Sequence, residues 1–146
     1  MLPVVPTQIT VLVADDHELT RFSLKAWLSS YSHITVVGVA SNGREAVSQA
    51  RYCCPDVIVL DLQMPVLDGL SAALEIKQFC PQTQIIAYTS LDDPQAEVMS
   101  QTAPIAVFCR KDIAAKHLLA LIEKLGEEAS AARSQTPVKT LPVSCG

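Results

Sequence analysis

Asp61 closes the run Val57-Ile58-Val59-Leu60, and the pair Asp15-Asp16 closes an earlier run, Ile9-Thr10-Val11-Leu12-Val13-Ala14. Short apolar runs, rich in β-branched residues, that stop abruptly in acid read as buried parallel strands. In an open α/β sheet, ligands bind just outside the carboxyl ends of the strands. The three acids therefore share one pocket. Crowded carboxylates repel one another unless a cation stands among them. The pocket asks for a hard divalent ion, which prefers oxygen ligands. Thr89 ends a third such run and Lys111 follows a fourth, so a hydroxyl and an ammonium converge on the same edge.

Strand and helix signals alternate five times along the chain, and this alternation is what brings those residues together. Strands are expected at 9–14, 34–40, 56–61, 84–89 and 105–109. The first helix, over 17–30, carries Leu24, Trp27, Leu28 and Tyr31 at core spacing. The second opens at Asn42, with Glu45 three residues on as in a capping box. The third follows Asp68-Gly69, shows Leu70, Ala73 and Leu74 on one face, and ends at Pro81. Asp68 reads as a cap, and Gly69 as a residue free to take positive φ. Asp93-Pro94 reads as the start of a short fourth helix. A fifth begins near Asp112, with Leu118, Leu121, Ile122 and Leu125 inward. Gly126 is one place for it to end; the alternative is fraying onward through the alanines. Five βα units give a doubly wound, three-layer α/β domain with its strand ends on one edge. The expected boundary falls at 126. Residues 127–146, small, polar and proline-containing, read as a flexible tail or truncated linker.

Composition narrows the function classes. The chain has 146 residues, 49% of them apolar, a net charge of -4 and a pI near 5.2. Nothing in that balance favours nucleic-acid binding by this chain. No apolar run reaches membrane-spanning length, and Met1 to Pro6 lack the basic and apolar regions of a secretory signal. Cys53, Cys54, Cys80, Cys109 and Cys145 form no Cys-x-x-Cys pair, and His17, His33 and His117 stand at no zinc-ligand spacing from them. An odd count in an acidic, signal-free chain points to free thiols and a cytoplasmic location.

Asp15-Asp16, the stretch Asp61-Leu62-Gln63-Met64-Pro65-x-x-Asp68-Gly69, Thr89-Ser90 and Lys111, in that order and at those separations, resemble the receiver domain of two-component response regulators over about residues 8–126. Ala14-Asp15-Asp16-His17-Glu18-Leu19 and Ser41-Asn42-Gly43-Arg44-Glu45-Ala46 are similar to the branch whose members usually carry a C-terminal helix-turn-helix. The resemblance implies a flavodoxin-like five-stranded sheet of order 2-1-3-4-5. It implies that Asp61 accepts a phosphoryl group from a histidine kinase or another phosphodonor. Asp15, Asp16, Asp61 and the backbone carbonyl of Gln63 would hold Mg²⁺. Thr89 and Lys111 would bind the phosphoryl oxygens, where charge neutralisation and positioning carry catalysis. Thr89 and Phe108 would move together as the switch. Gln63 and Leu91, two residues after Asp61 and Thr89, would flank the path of hydrolytic water. The expected partners are a sensor histidine kinase or phosphotransfer protein, with neither nucleic acid nor membrane. Dimerisation through the region of Arg110, Asp112 and Lys116 stays open. Ala106 departs from the family, where a glycine is common.

Taken singly, an aspartate after a strand is most often a cap, a threonine a good strand residue and a lysine a solvated charge. Jointly, in order, at successive strand ends, they are not explained that way. His17 reads as a surface or indirect contributor, because Mg²⁺ prefers oxygen. The expected function is a phosphoacceptor that signals by protein contact and is not an enzyme in the ordinary sense. One alternative is the receiver half of a DNA-binding regulator. Another is a metal-dependent phosphatase, disfavoured because Asp61 lacks a following Asp-x-Asp pattern.

Overall fold

The structure is a computed structural model that describes residues 8–90 and 104–135. Five strands make one parallel sheet: β1 (Ile9–Ala14), β2 (Ile34–Ala40), β3 (Val57–Leu60), β4 (Gln84–Thr89) and β5 (Val107–Arg110). Their order is β2-β1-β3-β4-β5, the order expected, with all four pairings parallel. The helices are α1 (Glu18–Ser29), α2 (Gly43–Cys53), α3 (Gly69–Phe79) and α4 (Ala115–Gln135). The helix expected after Asp93-Pro94 lies outside the described residues.

Side chains alternate across each strand, so each central strand feeds two cores. Val11, Val13, Val57, Val59 and Ile86 face Leu24 and Leu28 of α1 and Leu118, Ile122 and Leu125 of α4. Leu12, Ile58, Leu60 and Ile85 face Ala46, Val47 and Ala50 of α2 and Ala72, Ala73 and Ile76 of α3. Strands covered on both faces explain the unbroken apolar runs in the sequence. Each large side chain buried this way contributes about 1.5–3 kcal/mol.

The inward face of α3 differs from expectation. Leu74 is exposed and Leu70 only partly covered, because the helix turns its small residues and Ile76 inward to approach α2 closely. The helix starts follow the sequence. Asn42 Oδ1 accepts from the Glu45 N–H, and Glu45 reaches back to Ser41. Asp68 caps α3 through the Ser71 N–H and hydroxyl.

Helix α4 passes Gly126, the first of the two ends expected for it, and continues through the alanines. It runs on to Gln135, so residues 127–135 are helix and not flexible tail. Gly126 is buried, and a Cβ there would stand 2.6 Å from Ile9 Cγ2. The glycine lets helix and sheet approach; it is not a stop signal. Beyond it Ala129 is buried, and Arg133 pairs with the buried carboxylate of Asp56 at the start of β3. Asp56 also accepts from the Thr10 N–H and hydroxyl.

The free-thiol expectation also fails in part. Cys54 and Cys80 form a disulfide. They cap the C-terminal ends of α2 and α3, which precede the adjacent strands β3 and β4. Alternation of helix and strand thus brings them to one edge despite their separation of 26 residues. Cys109 is a buried free thiol, and Cys145 lies outside the described residues. Among the described residues no helix is long and apolar enough to cross a membrane.

Candidate functional site

Hydrogen bonding across the sheet sets the site. The Asp15 N–H donates to Ala40 O and the Asp61 N–H to Ala14 O. Each acid therefore emerges at the moment its strand leaves the sheet, beside its neighbour. On the far side, the Lys111 N–H donates to Thr89 O at 2.7 Å, and Lys111 O accepts from the Tyr88 hydroxyl at 3.2 Å. These bonds fix the lysine backbone so that its side chain returns across the strand ends.

The expected residues meet. Lys111 Nζ lies 2.7 Å from Asp15 Oδ2 and 3.3 Å from Asp61 Oδ2. One ligand atom from each of Asp15, Asp16, His17 and Asp61 falls within 4.8 Å of the others. Asp15 and Asp61 are almost wholly buried, whereas Asp16 and His17 open to solvent. Asp61 Oδ1 accepts from the Gln63 backbone N–H at 3.0 Å. The Thr89 hydroxyl is buried and finds no hydrogen-bond partner among the described residues. Such a group calls for an explanation, and an incoming ligand oxygen is one.

The electrostatics follow from burial. Desolvation pushes the Asp61 carboxyl up to about 6, and the charge of Asp15 adds to this. The Gln63 N–H and Lys111 pull the other way but do not cancel it. Burial works against the Lys111 charge, yet hydrogen bonding to Asp15 and the charges of Asp61 and Asp15 outweigh it. The ammonium is held above its ordinary range. A carboxylate this hard to ionise beside a second one is a place where added positive charge binds. The oxygen-rich donor set fits a hard divalent ion.

The loop after Asp61 needs its glycine for a reason the sequence reading missed. Gly69 does not take a positive φ. Any Cβ there would collide with the carbonyl oxygen of Asp61, so the glycine admits the acceptor backbone. Positive φ falls instead on Val66, at 71°. Gly43 at the start of α2 is similarly pressed against Leu67 O.

Phe108 sits opposite Ala87 in the β4–β5 register and is half-buried against the cluster of Leu62 and Ala87. That cluster includes Leu62, the residue that follows Asp61. Leu91 lies outside the described residues. Arg110 and Asp112 form an exposed pair at 3.7 Å. Two contributors were not anticipated. Arg21 Nη1 donates to Asp15 O at 2.8 Å. His17, expected to stay peripheral, places Nδ1 2.9 Å from Asp15 Oδ1 and 3.0 Å from Asp16 Oδ1. The available signal was its position directly after the acidic pair.

A family profile described as the response regulator receiver domain matches residues 11–123. The response regulator protein VraR of Staphylococcus aureus is 32% identical over 131 residues, which cover 90% of this chain and 63% of that protein. The chain thus spans a little under two thirds of the length of the curated relatives it matches. The signal receiver domain of the putative response regulator NarL from Mycobacterium tuberculosis is 29% identical, with a TM-score of 0.72 over 81% of this chain and 98% of that one. The response regulator domain of Thermotoga maritima CheB is 31% identical, with a TM-score of 0.67 over 89% of this chain and 99% of that one. With the sheet order, the clustered acids, the buried hydroxyl and the bridging lysine already in place, the chain belongs to the receiver-domain family of two-component response regulators.

Proposed function

We propose that Asp61 is the phosphoacceptor of this chain, receiving its phosphoryl group from a histidine kinase, a phosphotransfer protein or a small acyl phosphate. The observation that carries the reading is Lys111 bridging buried Asp15 and Asp61, together with a buried Thr89 hydroxyl that has no hydrogen-bond partner among the described residues. A carboxylate oxygen of Asp61 attacks phosphorus, and the donor departs with the electrons of its bond to phosphorus. Lys111 places an ammonium beside the oxygens where negative charge spreads. Thr89 donates its hydroxyl hydrogen to one of them. Asp15, Asp16, Asp61 and the carbonyl of Gln63 would hold Mg²⁺, whose charge, when bound, offsets that of the phosphoryl group.

Phosphorylation gives Thr89 a partner and draws it toward the site. Phe108, packed against the cluster of Leu62 and its β4 neighbour Ala87, then changes its packing, which makes β5 part of a two-state output face. The product is a covalent signal read by protein contact, in the cytoplasm, and the chain is not a multiple-turnover enzyme. A second reading, the receiver half of a DNA-binding regulator, is favoured by the 63% coverage of the matched relative. The full open reading frame decides it.

The test is intact-mass spectrometry after incubation with acetyl phosphate and Mg²⁺. Wild type should gain one phosphoryl group and Asp61→Asn none. Equal labelling of both would remove Asp61 from the role. Mg²⁺ should also raise the melting temperature of wild type, and less so that of Asp16→Asn, because ligands of the folded state stabilise it.

A further inference from the structure

We propose that the Cys54–Cys80 disulfide is a reversible redox switch that sets how firmly the last turns of α4 are held at the start of β3. The switch is separate from the phosphoacceptor chemistry and draws on the proposed function only for its cytoplasmic setting. There, disulfides are mostly transient and redox-sensing, not structural staples. A core on both faces of the sheet leaves this domain little need of a staple.

The sulfurs sit where a switch needs them. Cys54 and Cys80 are the C-caps of α2 and α3, with Cα atoms 5.5 Å apart, within the span of a disulfide. Cys54 has a φ of 42°, a left-handed cap position that favours glycine. A cysteine there is placed for its sulfur and not for its backbone. Thr83 Oγ1 donates to Pro55 O at 2.6 Å, and the Gln84 N–H to Asp56 O at 2.9 Å. These bonds keep the two connections together when the disulfide is open, so the thiols stay within reach of each other.

The two sulfurs differ in access. Cys80 is buried and Cys54 only partly so. A thiolate of a dithiol reductant therefore attacks the Cys54 sulfur, and Cys80 departs with the electrons of the S–S bond and takes up a proton. The resulting thiol finds an acceptor in place, since Cys80 Sγ stands 3.3 Å from Ala50 O. The reductant's second thiolate then attacks its own sulfur in the mixed disulfide and releases Cys54, which is protonated in turn. The protein gains two electrons and two protons, and the reductant leaves as a cyclic disulfide. An oxidised dithiol runs the sequence backwards.

Asp56 couples the bond to α4. Only Pro55 separates Cys54 from that buried carboxylate, which accepts from Thr10 and pairs with Arg133. Cys54, Cys80, Asp56, Ala129 and Arg133 line one small cavity. The crosslink holds the backbone of Cys54 to Asp56 against the connection between α3 and β4, and so keeps the carboxylate aimed at Arg133. Opening it lets Cys54 leave the left-handed region and frees that stretch to shift. Ala129 and Arg133 dock the helix past Gly126, so residues 127–135 loosen while the core-packed turns before them stay.

The experiment is hydrogen–deuterium exchange of the full chain, read on peptides by mass spectrometry. The chain is measured oxidised, reduced with dithiothreitol, and reoxidised with the oxidised form of the same reagent. Peptide mapping first checks that Cys54 is joined to Cys80 in the oxidised protein. Reduction should speed exchange over residues 127–135 about tenfold, leave residues 118–125 within about a factor of two, and be reversed by reoxidation. The double variant Cys54→Ser/Cys80→Ser should exchange like reduced wild type and ignore both reagents. Arg133→Ala should exchange fast in both redox states. Several results would overturn the proposal: no bond between these cysteines, equal exchange in both redox states, a rise spread evenly over every helix, or a redox response that survives in either variant. Unfolding of reduced wild type would do the same, because the bond would then be a staple. None of these outcomes bears on phosphorylation of Asp61.

Discussion

At the scale of single residues, the free energy of the site is set by what Asp61 must give up to be charged. Its carboxyl is pushed up to about 6 from an unfolded value of 3.8, chiefly by burial. A carboxyl raised in the folded state contributes stability that is whole below its unfolded pKa and lost as pH rises through the folded one. Between roughly pH 4 and 6, ionisation therefore costs the metal-free fold up to about 3 kcal/mol. Asp61→Asn should abolish this cost. In urea titrations with chelator, the variant should be more stable than wild type at pH 7.5, with the gain shrinking toward zero near pH 4. A variant less stable at pH 7.5 would mean that Lys111 compensates Asp61 fully. Leu91, two residues after Thr89, is expected to shield the approach of hydrolytic water. Leu91→Glu should then release phosphate faster than wild type from the phosphorylated state, and an unchanged rate would show that Leu91 leaves the path open.

At the scale of elements, the loop between β3 and α3 is held between two glycines that keep side chains out of the way. Gly69→Ala should push on the Asp61 carbonyl, lower stability by about 1–3 kcal/mol and slow phosphorylation. Val66→Gly should act oppositely on stability, gaining about 1 kcal/mol, because a β-branched residue at positive φ is strained. Paired denaturation curves would check both signs. The strand ends were legible in the sequence because each apolar run stops in a polar residue, and parallel crossovers send those stops to one edge. That logic placed Asp15, Asp16, Asp61, Thr89 and Lys111. It could not place the ring of His17, whose orientation depends on side-chain torsions and not on register. It misread Gly69 because positive φ and close approach leave the same letter in the sequence. Leu74 was assigned inward because its spacing fits, but the face that wins is the one whose small residues let α3 approach α2.

At the scale of the whole molecule, the sheet has chemistry at one edge and fastening at the other. Arg133, late in α4, meets Asp56 where β3 begins, beside the Cys54–Cys80 disulfide. The sequence hid this because Glu127 to Gln135 have no strong apolar stripe, while a single buried alanine and one arginine suffice to dock them. Arg133→Ala should cost about 1–3 kcal/mol, since it strips a partner from a buried carboxylate. Arg44→Ala, which breaks an exposed pair with Glu75, should cost under about 1 kcal/mol. Equal costs would mean that the extension of α4 is not anchored. The opposite edge supports the central claim, that Asp61 and no neighbouring acid carries the phosphoryl group. The most direct measurement is borohydride reduction of protein treated with acetyl phosphate and Mg²⁺, followed by peptide mass spectrometry. Hydride converts an aspartyl phosphate to homoserine. Homoserine at position 61, and absent from 15 and 16, is the predicted result; homoserine at 15 or 16, or at none of the three, would contradict the account.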